Sequence, residues 1–171
     1  AIEAGAQMVN SINALKTPGA LSLIANSGVY VCLMHMKGVP QTMQENPEYR
    51  HVVDEVVSAL QARIDDCLKA GIKPEQIIVD PGFGFGKTLA HNIFLLRELH
   101  KINALGYPVM GCVSRKSMLG DLIDAPPESC LYASIAATTI AIQSGLNIVR
   151  THDIKPTRDA VTIAQAVIQG E

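Results

Sequence analysis

Residues 71–80 read GIKPEQIIVD, and this short segment joins a glycine, a turn and an apolar run. Gly71 follows a helical pattern and is well placed to end that helix in the left-handed conformation. Residues 77–79 then form a continuous apolar run that stops at the carboxylate of Asp80. Such a run is typical of a strand in a parallel sheet that is covered on both faces. The segment predicts a helix–glycine–strand unit with a reactive group at the strand end.

The same unit occurs five times along the chain. The apolar runs occupy residues 8–10, 30–35, 77–80, 109–114 and 148–150. Each run follows a glycine, and these glycines are Gly5, Gly28, Gly71, Gly106 and Gly145. Alternating helices and strands indicate an α/β fold with right-handed crossovers. The pattern alone leaves two architectures open, an open doubly wound sheet and a (β/α)8 barrel.

Two segments show clear helical spacing of apolar residues. Residues 49–70 place apolar side chains three or four residues apart, at Val53, Val56, Val57, Leu60, Ile64, Cys67 and Leu68. A last helix is expected to begin after Asp153, with Pro156 in its first turn. The side chains that it is expected to bury are those of Ala160, Val161, Ala164, Val167 and Ile168.

Composition excludes several classes of protein. The chain has 171 residues, 48% of them hydrophobic, and a formal net charge of −2, as expected for one globular domain with a sizeable core. Because Lys and Arg are not clustered in basic runs, nucleic acid is not expected as a partner. Residues 17–36 and 129–149 are almost free of charge, but Gly, Asn and Ser interrupt both. No membrane span is therefore expected.

The cysteines indicate a reducing compartment. Cys32, Cys67, Cys112 and Cys130 are scattered without a CxxC pair, so neither a zinc site nor a disulfide framework is predicted. The first residues show no basic stretch followed by an apolar one, so no secretory signal is expected. Together these features predict a cytoplasmic protein.

Each predicted strand ends in a side chain that can bind or react. These residues are Asn10, His35, Asp80, Ser114 and Arg150. In both candidate architectures the carboxyl ends of parallel strands meet at one edge, where binding sites form. Five such residues in succession predict a functional site at that edge.

Residues 80–88, DPGFGFGKT, form a glycine-rich loop directly after the third run. The spacing fits neither a Walker A loop, because Pro81 stands where a glycine is needed, nor the GxGxxG dinucleotide fingerprint. The glycines indicate a close approach of the backbone to a ligand. Phe83 and Phe85 are interpreted as a lid for a flat ring rather than as core residues.

Basic residues follow the last two runs, in residues 114–117 (SRKS) and 150–153 (RTHD). Cations beside helix N-termini favour an anionic group. Barrels commonly bind phosphate on the loops after strands seven and eight. If these loops are those two, the chain contains strands four to eight of a barrel.

These motifs together resemble the dihydropteroate synthase family, the sulfonamide target among pterin-binding enzymes. The resemblance rests on residues 33–40 with 43–44, then 80–87, 114–117, 150 and 152–153, in that order. It covers essentially the whole chain. It implies one pterin-binding domain over residues 1–171, an incomplete TIM (β/α)8 barrel holding strands four to eight with their helices. The family's first three strands are expected to be absent from this chain.

The resemblance also implies a reaction, in which 4-aminobenzoate condenses with 7,8-dihydropterin-6-ylmethyl diphosphate and diphosphate leaves. The implied pterin-binding residues are Asn10, Met34, Asp80, Gly84, Cys112 and Lys116. Those implied for 4-aminobenzoate are Phe85, Ser114 and Lys116. The implied catalytic residues are Lys116, Arg150 and His152, of which Arg150 and His152 hold the diphosphate. The family uses Mg²⁺, whose protein ligand is expected outside this chain, and it commonly forms homodimers through late helices.

Three positions depart from the family pattern: Ser11 replaces Asp, Cys112 replaces Gly and Thr151 replaces Val. A thiol at position 112 is expected to crowd the pterin. Two alternatives stay open, an inactive fragment or remnant of the same fold and a methyltetrahydrofolate-binding methyltransferase domain. The basic loops argue against the methyltransferase, because a methyl donor has no diphosphate to hold. The chain by itself is expected to be inactive, because five strands cannot close an eight-stranded barrel.

Overall fold

The structure is a computed structural model, and it describes residues 1–170. The strands are β1 Met8–Ser11, β2 Tyr30–Met34, β3 Ile77–Asp80, β4 Met110–Gly111 and β5 Ile148–Val149. The α-helices are α1 Ala20–Ser27, α2 Val52–Lys69, α3 Leu89–Arg97, α4 His100–Asn103, α5 Ser117–Ile123, α6 Leu131–Gln143 and α7 Ile154–Gln169. Short 3₁₀ turns cover Ile2–Ala4, Pro74–Gln76 and Pro127–Ser129. The five predicted strand segments are confirmed, although β4 and β5 are shorter than their apolar runs.

All strand pairs are parallel, and the strands lie side by side in chain order. β1 pairs with β2, β2 with β3, and β4 with β5. A single parallel bridge between Val79 and Val109 joins the two groups. The fold is therefore α/β with parallel strands, as the alternating pattern predicts. Parallel order of this kind brings every strand's carboxyl end to one edge.

The two faces of the sheet differ. On one face Val31, Leu33, Ile77 and Val79 pack into the main core against the helices. On the other face a smaller apolar cluster forms from Cys32, Ile78 and Met110, with Ile148 packed against it. Side chains alternate between faces along each strand, so residues two positions beyond this cluster share its face. Asp80, Cys112 and Arg150 are among them.

The glycines behave as the sequence predicts. All five predicted glycines have positive φ, between 71° at Gly28 and 100° at Gly145. In α2 the predicted apolar stripe is buried at Val53, Val56, Leu60, Ile64 and Cys67, whereas Leu68 is exposed.

The prediction for the last helix is partly wrong. α7 begins after Asp153, and Ala164 is buried. Val167 and Ile168, however, are 70% and 55% exposed. Only one stripe of α7 faces α6, and these two exposed side chains lie outside it. Across residues 1–170, no helix combines the length and the apolar character needed to traverse a bilayer.

Candidate active site

Asp80 lies at the carboxyl end of β3 and is only 5% exposed. Its Oδ1 accepts a hydrogen bond of 2.7 Å from the backbone N–H of Gly82. Burial raises the pKa of the carboxyl from 3.8 to about 6, while the Gly82 hydrogen bond and the charges of Lys116, Lys87 and Arg150 act in the opposite direction. Asp80 is thus a nearly buried acceptor in a positively charged surrounding.

The glycine-rich loop folds back on the loop after β2. Gly82 has φ +69°, and a Cβ atom there would lie 1.9 Å from the carbonyl oxygen of His35. A Cβ at Gly86 would lie 2.3 Å from the carbonyl oxygen of Lys37. These two glycines therefore permit close approach to the chain's own backbone, and not to a ligand as the sequence suggests. Gly84 instead faces the side chain of Lys116, whose Cδ would be 3.3 Å from an added Cβ.

The two phenylalanines of this loop have different environments. Phe83 is 1% exposed and belongs to the main core, so its interpretation as a lid is wrong. The turn directs its ring inward, beneath the loop. Phe85 is half-buried, and the Lys116 Nζ lies 4.4 Å from its ring centroid. A lysine ammonium and an aromatic face at that distance attract each other.

Lys87 is a buried cation that the sequence analysis left without a role. Its Nζ donates to the carbonyl oxygens of Gly82 at 2.9 Å and Phe85 at 3.1 Å, and lies 3.0 Å from Nδ1 of His35. Burial lowers the pKa of Lys87 to about 7, opposed by the charge of Asp80. Burial, with the charge of Lys87, lowers the pKa of His35 to about 3. His35 is therefore neutral, and its Nδ1 can accept from the ammonium.

Three further side chains hold the glycine-rich loop, and the sequence analysis assigned a role to none of them. Asn92 of α3 accepts from the Gly84 N–H through Oδ1 at 2.8 Å. The loop after β2 contributes Gln44, which donates to the Gly84 carbonyl at 2.5 Å, and Tyr49, which donates to the Gly86 carbonyl at 2.8 Å. A polar residue among the apolar residues of α3 is the one sequence signal that could have singled out Asn92.

The loops after β4 and β5 are joined by two contacts. Ser114 Oγ and His152 Nδ1 are 3.1 Å apart, and the His152 N–H donates to Ser114 Oγ at 3.2 Å. Arg115, with φ +55°, pairs with Asp153 through hydrogen bonds of 3.0 and 2.6 Å. The predicted meeting of the two basic loops is present, but the charge of Arg115 is neutralised within the protein.

Cys112 and Arg150 share the face that carries Asp80, and the side chain of Lys116 lies beside Gly84. Burial lowers the pKa of Lys116, and the Cys112 thiol and the Asp80 carboxylate oppose this effect. Burial likewise raises the pKa of the Cys112 thiol, against the charges of Lys116 and Arg150. Arg150 follows β5 and is exposed. The charges of these predicted site residues therefore influence one another's pKa values.

Strand register locates the remaining predicted residues. Met34 is buried and lies opposite Asp80 on the neighbouring strand. Asn10 lies opposite Cys32, one layer below and two strands away from Asp80, and it is exposed. The structure thus places Asn10 on the same face as Asp80, farther along the sheet.

Two of the residues that depart from the family pattern have structural partners. Thr151 Oγ1 lies 2.9 Å from Thr157 Oγ1 and accepts from the Asp153 N–H at 3.1 Å, so its hydroxyl is satisfied at the start of α7. Ser11 Oγ accepts from the Leu15 N–H at 2.8 Å and supports a turn with positive φ.

A large open cleft lies beside the site. Its volume is about 2030 Å³, and the loop after β2 and the first turns of α2 form most of its lining. It reaches Met34 and His35, whereas Asn10, Asp80, Lys116 and Arg150 do not line it. Within residues 1–170 no group of three His, Cys, Asp or Glu side chains could hold a metal ion.

Comparisons with known proteins agree with this geometry. The family model described as pterin binding enzyme matches residues 1–152. Dihydropteroate synthase of Haemophilus influenzae is 45% identical over 97% of this chain and 60% of its own length. That of Escherichia coli is 42% identical over 98% of this chain and 59% of its own length. The chain thus spans about 60% of the length of these relatives.

Solved structures give the same result. The dihydropteroate synthase of Yersinia pestis in a sulfonamide drug complex superimposes with a TM-score of 0.96 at 41% identity, over 98% of this chain and 61% of that one. The enzyme of Xanthomonas albilineans in complex with 7,8-dihydropteroate has a TM-score of 0.91 at 42% identity, over 98% of this chain and 61% of the other.

Fold and site together define an α/β protein whose predicted site residues lie at the carboxyl ends of parallel strands, with a buried carboxylate among cations. The chain belongs to the pterin-binding enzyme family. The resemblance to dihydropteroate synthase read from its motifs is confirmed.

Proposed function

We propose that this chain supplies strands four to eight of the (β/α)8 barrel of a dihydropteroate synthase. Five parallel strands in chain order support this assignment, as does the length of the relatives, of which the chain spans about 60%. The small apolar cluster of Cys32, Ile78 and Met110 then corresponds to the barrel interior. In this proposal residues 1–171 form a single domain.

The proposed reaction joins 4-aminobenzoate to 7,8-dihydropterin-6-ylmethyl diphosphate. The C–O bond to diphosphate breaks with its electron pair, the arylamine nitrogen forms a C–N bond to the pterin methylene, and the resulting ammonium releases a proton. Asp80 and Asn10 would bind the N–H edge of the pterin, because a carboxylate accepts two parallel hydrogen bonds. Met34 would form the floor, with Gly84 and Cys112 against the ring and Lys116 donating to its carbonyl.

The observation that carries the proposal is the buried carboxylate of Asp80, with the Lys116 side chain beside Gly84 of the same loop and Arg150 on the same face of the sheet. This reaction requires a carboxylate that binds the N–H edge of the pterin and cations that bind the leaving diphosphate. Arg150 and His152 would stabilise the charge that develops as diphosphate departs. Phe85 and Ser114 would hold the ring and carboxylate of 4-aminobenzoate, and Ser114 already contacts His152.

The remaining expectations are part of the same proposal. Mg²⁺ would come with the diphosphate and take its protein ligand from outside this chain. Four free cysteines fit a reducing cytoplasm. A second copy of the chain is the proposed protein partner. The cations after β4 and β5 favour this reaction over methyl transfer from a folate, which releases no diphosphate.

Asp80→Asn tests the assignment, because the amide keeps the shape but loses the paired acceptor. The free energy of binding 6-hydroxymethyl-7,8-dihydropterin should weaken by about 2–4 kcal/mol. It is measured by calorimetry on a polypeptide that joins this chain to the first three strands of the barrel, called the full polypeptide below. Asp65→Asn, on the exposed face of α2, is the matched control and should bind normally. Unchanged pterin affinity in Asp80→Asn would contradict the proposal.

Arg150→Ala tests the leaving-group site. It should weaken the diphosphate-bearing pterin more than 6-hydroxymethyl-7,8-dihydropterin. Equal losses for the two ligands would show that Arg150 does not contact the diphosphate.

A further inference from the structure

The proposed reaction leaves one buried cation without a part to play. Lys87 is 3% exposed, although a lysine removed from water is costly unless its ammonium is fully hydrogen-bonded. It ends the glycine-rich loop, seven positions after Asp80, and it faces the inside of the loop rather than the open face.

Three acceptors satisfy the three N–H groups of the ammonium. They are the carbonyl oxygens of Gly82 and Phe85 and the Nδ1 of His35, at 2.9, 3.1 and 3.0 Å. When Lys87 is charged and His35 is neutral with its proton on Nε2, the ammonium donates all three hydrogen bonds. The low pKa of His35 agrees with a neutral imidazole. Lys87 is therefore an internal clamp on the loop.

The two carbonyls belong to opposite ends of one turn. Gly82 also donates its N–H to Asp80, so the near end sets the carboxylate that faces the pterin. Phe85 carries the ring that contacts Lys116, so the far end positions the ring proposed to hold 4-aminobenzoate. A single ammonium thus fixes both ends in relation to each other.

We propose that Lys87 is a positioning residue, whose ammonium holds the 82–85 turn so that Asp80 and Phe85 keep the spacing needed for a pterin and an arylamine to react. This inference rests on the proposed function, since it assigns the support of that same site. It concerns positioning alone, because Lys87 touches protein carbonyls and an imidazole rather than the reacting atoms.

Lys87→Met tests the clamp, because methionine has a similar length but no hydrogen-bond donor. Two probes are titrated into the full polypeptide, 6-hydroxymethyl-7,8-dihydropterin and inorganic diphosphate. Pterin affinity should fall about tenfold or more, as expected for a displaced binding group. Diphosphate affinity should stay the same, because Arg150 and His152 lie on the loop after β5. Lys69→Met, at the exposed end of α2, removes one lysine charge as a control and should bind both probes normally.

His35→Phe gives a second, milder test should the first variant not fold. The His35 ring lies beside Tyr49, and phenylalanine keeps a ring there. Phenylalanine has no ring nitrogen, however, so one of the three acceptors for Lys87 is lost. Pterin affinity should fall less than in Lys87→Met, again with diphosphate affinity unchanged.

The outcomes separate this inference from the proposed function. If the unaltered protein fails to bind the pterin probe, the proposed function is wrong. If it binds and both variants bind equally well, the clamp is wrong. Loss of pterin and diphosphate affinity together would also overturn the inference, because it would indicate a general disturbance of the fold.

Discussion

At the level of single residues, position 82 requires glycine because the loop backbone passes close to the His35 carbonyl oxygen. An alanine there would combine positive φ with a Cβ 1.9 Å from the His35 carbonyl oxygen. Gly82→Ala should lower the free energy of unfolding by about 3 kcal/mol or more, since the loop must move. Gly28→Ala is the matched control, because φ is +71° there and a Cβ would meet nothing within 4 Å. It should cost about 1 kcal/mol, and equal losses in urea unfolding would contradict this account.

The ionisation of Asp80 predicts an acid limit for pterin binding. Its pKa is raised to about 6, so the carboxyl gains a proton as the pH falls through 6 and loses its paired acceptor. Affinity for 6-hydroxymethyl-7,8-dihydropterin should therefore decrease as the pH falls below about 6. Asp80→Asn should lack this decrease, because an amide does not titrate. A flat profile below pH 6 in the unaltered protein would show that the ionised carboxylate is not the acceptor.

At the scale of elements, the Arg115–Asp153 pair joins the ends of β4 and β5. Each charge holds the pKa of the other group away from its usual range, upwards for Arg115 and downwards for Asp153. Arg115→Ala and Asp153→Ala should each weaken 4-aminobenzoate binding, because the pair holds Ser114 and Lys116, the neighbours of Arg115, against the loop after β5. The double variant should bind 4-aminobenzoate about as tightly as the single variant with the lower affinity. Additive losses in calorimetry would show that the two residues act separately.

At the level of the whole molecule, the outermost strands β1 and β5 each have one unpaired edge in the described part of the chain. In residues 1–170, β1 pairs on one side only, with β2, and β5 only with β4. We predict that the isolated chain forms no measurable 7,8-dihydropteroate. Adding a polypeptide that carries the first three strands of the barrel should restore turnover. Product formation by the isolated chain, in an assay without that polypeptide, would refute the prediction.

The late helices expose an apolar surface that a second copy could cover. Its side chains are Tyr132, Ile140, Ile154, Ile163, Val167 and Ile168. If this surface is the dimer interface, Val167→Asp should convert the full polypeptide from dimer to monomer in light scattering. Leu23→Asp, at a 59% exposed position of α1, should leave the dimer intact. A dimer that survives Val167→Asp would exclude α7 from the interface.

The sequence by itself determined the parts of this protein whose causes are local. Glycines that end helices, apolar runs and the helical stripe of α2 reflect short-range backbone and burial preferences, and the motifs after the strands identified the family. The tertiary structure alone decided which of these side chains meet. Lys87 reaches His35 across 52 positions, Phe83 turns into the core and Arg115 is paired with Asp153. Such contacts depend on the register of parallel strands and on the path of two loops, and no local pattern records either.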